Sequence, residues 1–361
     1  GSRIIGSAQA DTIHSGSGAD TLEGRAGNDT FVLNATTDLV AGESIDGGIG
    51  TDAIRLDAGG AGTYDFTTTG SVSNVEQLAI NANEAFTIKL SDNFNSNDGS
   101  VEVTNLTGSA ITNAISIDAS AFTGGNAALN VSATDFDGND TFIGTSNADT
   151  INAGGGADTI SGNGGADVIN AGAGADVIRL TQAQMAQAAA INGGTDADID
   201  TILITEPSAT ITDANFAIVT GIERLQLTGA NTLVLGSTAA AAGIGTIVLG
   251  NGDTSITLND GVTMTIDAAA LPDGNTLTIA GSGNFTINNL VGDLISTAAS
   301  GTVALTLNGS GATVVNSSIT NNGAATSFTV NQGTFDGADT INLLGSQAMT
   351  VVTGAVSLNV V

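Results

Sequence analysis

Aspartate recurs every nine residues in two stretches of this 361-residue chain, first as Asp11, Asp20 and Asp29, later as Asp140, Asp149, Asp158, Asp167 and Asp176. Each is followed by Thr or Val and then by a large apolar residue: Ile13, Leu22 and Phe31, then Phe142, Ile151, Ile160, Ile169 and Ile178. Glycine stands two positions before most of them, with Gln9 and Asn147 as the departures. An isolated aspartate in a glycine-rich turn is an Asx turn facing solvent. Strict spacing is different, because it puts carboxylates at equivalent points of a repeated unit. Oxygen donors in excess, with no Cys and a single His, suit a hard cation such as calcium and disfavour a zinc site.

Charge points the same way. Thirty-six acidic residues stand against six basic ones, a formal charge of -30, which repels nucleic-acid phosphates and anionic membranes. Nucleic acid is thereby excluded as a partner. Only 12% of residues are charged and mean hydropathy is positive, the opposite of an acidic disordered tail. The chain is expected to fold, and its negative charge calls for a cation. Fifty Gly, two Pro and no Cys, with abundant Thr, Val and Ile, suit a stack of short strands and tight turns better than a helical bundle. No apolar run is long enough for a membrane-spanning helix.

With their glycines, these units resemble the RTX nonapeptide Gly-Gly-x-Gly-x-Asp-x-U-x, where U is large and apolar, a calcium-binding β-helix repeat. Gly47-Gly48-Ile49-Gly50-Thr51-Asp52-Ala53-Ile54 is a further match. The resemblance implies an all-β fold, a right-handed parallel β-roll or β-helix solenoid with calcium in its turns. Its side-chain ligands would be Asp11, Asp20, Asp29, Asp52, Asp140, Asp149, Asp158, Asp167 and Asp176. Turn carbonyls near Gly16, Gly18, Gly24, Gly27, Gly47, Gly48, Gly50, Gly138, Gly154, Gly156, Gly162, Gly165, Gly172 and Gly174 would complete the shells. Further candidates are Asp46, Asp137, Asp198, Asp200, Asp336 and Asp339; Asp198 and Asp200 fall in a copy that carries two extra residues.

The residues support a physical reading beside the resemblance. Glycine permits the positive φ of a tight turn, the segment after each Asp is strand, and the apolar residue points inward. Nine residues then make half a coil, so alternate aspartates share an edge: Asp140, Asp158 and Asp176 in one column, Asp149 with Asp167 in the other, and Asp11 with Asp29. Carboxylates one strand spacing apart, about 4.8 Å, repel by about 3.5 kcal/mol at an effective dielectric of ~20. A divalent cation between them reverses the sign.

The remaining chain is duplicated as well. Asn74-Val75-Glu76-Gln77-Leu78 resembles Gly221-Ile222-Glu223-Arg224-Leu225, and Ile117-Asp118-Ala119 resembles Ile266-Asp267-Ala268, at offsets of 147 and 149 residues. This predicts a module at 1–134, a second copy with a longer aspartate block at 135–334, and, at 335–361, the start of a third copy or a C-terminal export segment. Alternating pieces such as Phe86-Thr87-Ile88-Lys89-Leu90 and Val303-Ala304-Leu305-Thr306-Leu307 read as solenoid strands, with a β-sandwich of antiparallel hairpins as the alternative. Only Gln182 to Ala190 reads as helix. Asp118 and Asp267 read as turn caps.

Catalytic chemistry has little to draw on. His14, the sole His, follows a repeat strand and reads as a surface residue, and no Ser-His or Cys-His pair can be assembled. The carboxylate pairs that glycoside hydrolysis would use are accounted for by metal spacing. Arg3, Arg25, Arg55, Arg179, Arg224 and Lys89 are scattered, and Arg55 and Arg179, which follow Ile54 and Ile178, suggest a role at a structural edge. The expectation is a protein that is not an enzyme. Calcium-type blocks alternating with Thr/Ala/Asn-rich strands look like the RTX-containing surface-layer proteins of Gram-negative bacteria. That likeness implies calcium-dependent folding outside the cell, type I export and self-assembly on the cell surface, the partner being further copies of the chain. Two alternatives stay open: an RTX adhesin or carbohydrate-binding module, with a cell-surface glycan as partner, and the noncatalytic RTX part of a type I-secreted enzyme. One Tyr and no Trp weigh against sugar stacking.

Overall fold

The computed structural model describes residues 1–57, 59–96, 99–122, 128–132, 135–307, 316–331 and 340–352. Contacts divide the chain into two compact units, Gly1–Arg179 with Gln187–Asp200 and Leu180–Ala186 with Thr201–Val361. Asp336, Asp339 and residues 353–361 lie outside the described residues.

In the first unit, short strands stack into parallel sheets whose neighbours are one coil apart in sequence. One sheet runs from Thr12–His14 through Thr30–Leu33, Ala53–Leu56, Gln77–Ile80, Ser100–Asn105, Ala128–Val131, Thr150–Asn152 and Val168–Asn170 to Ala190–Asn192. Opposite strands of the long aspartate block, Thr141–Ile143 and Thr159–Ser161, pair in parallel with Phe142 against Ile160. Ile160 in turn pairs with Ile178, while Ile151 pairs with Ile169 and Ile169 with Ile191. Residues nine apart therefore alternate between two sheets, and residues eighteen apart are stacked neighbours. That is the half-coil geometry expected from the spacing.

The apolar position of each repeat forms the core. Leu22, Phe31, Phe142, Ile151, Ile160, Ile169 and Ile178 have no exposed surface, and Ile13 keeps 5%. Each such side chain contributes about 1.5–3 kcal/mol on burial. Its flanking residues stay half-exposed, as in Thr141–Ile143 and Thr150–Asn152, so these three-residue strands present one apolar tooth inward.

The second unit keeps the parallel rule with longer strands and without the aspartate turns. Thr232–Leu235, Thr254–Leu258, Thr276–Gly281 and Asp293–Ala298 are successive members of one sheet, and Thr246–Val248, Thr263–Asp267, Asn284–Leu290 and Thr302–Leu307 of another. Parallel pairs such as Thr265↔Thr286 and Leu277↔Leu294 rule out the antiparallel hairpins of a β-sandwich.

Helix forms at Gln182–Gln187, within the expected stretch. The expectation that it would be the only helical segment was wrong. Ser237–Ala241 is a second short helix, and 3-10 turns occupy Thr36–Asp38 and Asp213–Ile218. The cause is a distant cap: Asp213 accepts the backbone N–H groups of Gly236, Thr238 and Ala239 at 2.7, 3.1 and 2.8 Å, taking up orphan donors that a five-residue helix cannot satisfy itself. No local signal in the alanine run announces a partner more than twenty residues upstream.

Candidate metal centre

The repeat aspartates form the expected columns, and backbone hydrogen bonds thread each one. Asp140 N–H donates to Oδ1 of Asp158 at 2.7 Å, Asp158 N–H to Oδ1 of Asp176 at 2.8 Å, and Asp176 N–H to Oδ1 of Asp200 at 2.9 Å. Asp149 N–H donates to Oδ1 of Asp167 at 3.0 Å on the other side. In the first block Asp11 N–H reaches Asp29 at 2.8 Å and Asp29 N–H reaches Asp52 at 2.6 Å. Each carboxylate thus spends one oxygen on the coil before it.

The second oxygen separates two kinds of site. Oδ2 of Asp29, Asp52, Asp140, Asp158 and Asp176 is buried without a hydrogen-bond partner. A buried carboxylate oxygen left bare costs more than an ordinary hydrogen bond gains, so its presence in five equivalent places calls for a ligand. At Asp11, Asp20 and Asp149 the same oxygen accepts the turn N–H of Ser7, Gly16 and Thr145, at 2.5, 3.3 and 2.7 Å. These three close on themselves as Asx-type turns.

At four of the five bare sites the residue four before the aspartate is left-handed, as is Asn163 before Asp167, whose Oδ2 is not among the bare oxygens. Arg25, Gly48, Gly154 and Gly172, which precede Asp29, Asp52, Asp158 and Asp176, are left-handed, with φ of 84°, 98°, 102° and 115°. Ser7, Gly16 and Thr145 are not among the positive-φ residues. At Asp140 the corresponding Phe136 is taken up in a parallel bridge with Ile111. The turn that bares Oδ2 also stacks closely on its neighbour: a β-carbon on Gly156 would fall 1.9 Å from the carbonyl oxygen of Gly138, and one on Gly174 would fall 2.0 Å from that of Gly156. Only glycine allows both the backbone twist and the approach. Carbonyls of Gly24, Gly47, Gly154, Gly162 and Gly172 lie in the same way beneath a glycine of an adjacent coil.

Burial is the main force acting on the carboxylates. It raises Asp52, Asp140 and Asp149 to about 6, Asp167 and Asp176 to about 7, and Asp158 to about 8. Asp158 stands highest because Asp176 and Asp140 flank it in the column and add like-charge repulsion. Five of these turns fit a divalent cation: hard oxygens, one bare carboxylate oxygen in each, and stacked carbonyls to complete a shell of six to eight. Among the described residues no three His, Asp or Glu side chains cluster as a metal site. Any ion here draws on backbone carbonyls as well as on the one or two carboxylates of its turn.

The remaining candidates divide. Asp200 is buried and closes the Asp176 column, whereas Asp198 is exposed and donates its N–H to Asp196. Asp46 accepts from Ser73 and Asn74, and Asp137 is exposed. Asp118 and Asp267 accept the N–H groups of Ser120 and Ala269, closing local turns. Glu43 and Glu76 extend the columns and were missed as members: Glu43 accepts the N–H of Asp20 at 2.9 Å and Glu76 that of Asp52 at 2.8 Å. Both precede the pattern x-apolar, Ser44-Ile45 and Gln77-Leu78, the same frame that follows each aspartate. His14 is exposed, and Arg55 pairs with Asp57.

The folded coils and their carboxylate columns define a calcium-binding parallel β-solenoid. The RTX calcium-binding nonapeptide repeat family matches residues 3–39, 136–168 and 143–178, in four copies. Those stretches are RTX calcium-binding nonapeptide repeats, and calcium is the ligand expected of them. No curated protein and no solved structure matches the chain. RTX repeats occur in secreted proteins. Among the described residues no helix is long and apolar enough to cross a membrane.

Proposed function

We propose that this protein is a calcium-locked structural component of a bacterial cell surface, exported by a type I system, that assembles with copies of itself as a surface-layer segment and carries no catalytic activity of its own. The observation that carries the reading is the set of five buried, unpartnered carboxylate oxygens, at Asp29 and Asp52 in one block and at Asp140, Asp158 and Asp176 in the other. They support a fold that is locked by calcium, which extracellular modules bind in the submillimolar to millimolar range.

Strands stacked coil upon coil support assembly, since a solenoid offers the same outward face many times over. Calcium favours it further by neutralising part of the -30 charge that holds copies apart. Light scattering and electron microscopy across a calcium series at fixed ionic strength test the proposal. Ordered sheets that appear with calcium but not with equivalent magnesium are expected. A chain that stays monomeric across the series and binds a glycan tightly would replace this reading with the adhesin one, and turnover of a polysaccharide would end it.

A further inference from the structure

Two turns of the aspartate blocks depart from the glycine pattern in the same way. Gly6-Ser7-Ala8-Gln9-Ala10-Asp11 and Gly144-Thr145-Ser146-Asn147-Ala148-Asp149 carry a hydroxyl residue four before the aspartate and an amide two before it, where Asp158 and Asp176 have glycine at both places. The two departures fold alike. Ser7 Oγ accepts the N–H of Gln9 at 3.2 Å, and Thr145 Oγ1 accepts that of Asn147 at 3.0 Å. In each turn the N–H of the hydroxyl residue then donates to Oδ2 of the aspartate, at 2.5 Å in the first and 2.7 Å in the second. Local side-chain bonds of this kind give the turn backbone partners of its own.

The second copy shows how fully the carboxylate is taken up. Asp149 Oδ2 holds the Thr145 N–H, while its Oδ1 accepts both the Thr145 hydroxyl at 2.9 Å and the N–H of Leu129, in the preceding coil, at 2.7 Å. Three donors thus surround a side chain that is 1% exposed. Thr145 has no exposed surface, so an ion that displaced its N–H would leave a buried donor unpaired. Calcium gathers oxygens around itself and brings no acceptor for that donor. Asp158 is the contrast within the same block: equally buried, it receives the N–H of Asp140 on Oδ1 and nothing on Oδ2.

We infer that this hydroxyl turn is a form of the repeat that needs no ion, and that Asp149 is an anchor between coils and not a calcium ligand. Thr145 sets the turn, and Asp149 ties it to the strand Ala128–Val131 through Leu129. The inference rests on calcium binding by the matched repeats and removes one aspartate from their ligand set.

Equilibrium dialysis of calcium against the unaltered chain, Asp149→Asn and Asp158→Asn tests this, with far-ultraviolet circular dichroism in excess calcium to verify that each variant is folded. Asp158→Asn is expected to bind fewer ions per chain than the unaltered protein, and Asp149→Asn the same number. A lower count in folded Asp149→Asn would overturn the inference and leave the repeat sites standing; an unaltered chain that binds no calcium would overturn both. A crystal structure of the unaltered chain grown in calcium decides the matter if Asp149→Asn does not fold. It should show the Thr145 N–H still on Asp149 Oδ2, and an ion within about 2.3–2.6 Å of either carboxylate oxygen would refute the assignment.

Discussion

The backbone N–H of Asp158 donates to Oδ1 of Asp176 at 2.8 Å, which leaves Asp176 Oδ2 buried and bare. One hydrogen bond thus both sets the register between two coils and aims the free oxygen at the turn. Stability, ion binding and coil spacing are joined in that arrangement, and they should fail together.

Removing calcium should unfold the aspartate blocks. No disulfide holds the chain, and each site filled at a thousand times its dissociation constant contributes about 4 kcal/mol. Circular dichroism with chelator, then with excess calcium, should show loss and recovery of the β spectrum, with magnesium restoring little of it because it prefers smaller, partly hydrated octahedral sites. A thermal midpoint indifferent to thorough chelation would contradict the account.

Asp158→Ala should cost far more than Asp118→Ala. The first strips the Asp140 N–H of its acceptor, worth about 1–3 kcal/mol when the donor is buried, and removes an ion ligand in mid-column. The second opens a local turn onto Ser120 and should cost about 1 kcal/mol or less. Denaturant melts and calcium titrations on both variants compare them, and equal losses of calcium affinity would show that the column has no special role.

Acid should stabilise the chelated protein. Folded-state values of about 8 at Asp158 and about 7 at Asp167 and Asp176 lie above the ordinary 3.8, so the native state holds protons that the unfolded chain releases. Their contribution is complete below about pH 4 and is lost as pH rises through 6 to 8. In chelator the loss of β spectrum should be smaller at pH 5 than at pH 9, with a smaller difference in Asp158→Asn. With calcium present, lowering the pH should instead weaken binding, because protons compete for the same oxygens. A chelated protein more stable at pH 8 than at pH 5 would reverse the sign and refute the argument.

Left-handed residues in the turns offer a test of opposite signs. Gly156→Ala places a β-carbon 1.9 Å from the Gly138 carbonyl oxygen at φ 112°, and should destabilise by several kcal/mol. Arg25→Gly relieves a non-glycine at φ 84° whose side chain is exposed, and should stabilise by up to about 1 kcal/mol. Thermal melts in saturating calcium would read both shifts, and a stabilising Gly156→Ala would exclude close stacking of the turns.

Much of this was legible in the residues. A strict period of nine, with an apolar residue two beyond each aspartate, dictates half-coils, parallel sheets and a core of single apolar teeth, because only that winding buries Phe142, Ile160 and Ile178 in one stack while returning each aspartate to an edge. Calcium follows from the donor chemistry of the same positions. These are local, repeated signals, and repetition multiplies them.

Other features were settled only when coils met across space. Asp158 keeps a bare Oδ2 behind a left-handed Gly154, while Asp149 Oδ2 is closed by the N–H of Thr145. Glu43 and Glu76 joined the columns because backbone stacking, and not the motif, put them one coil beyond Asp20 and Asp52. The helix at Ser237–Ala241 exists through a cap supplied by Asp213. Sequence by itself determined the winding, the inward face and the class of ligand, all of which follow from spacing and side-chain chemistry. Tertiary structure alone decided which oxygens remain free for an ion, because that depends on hydrogen bonds between residues about a coil apart in the chain.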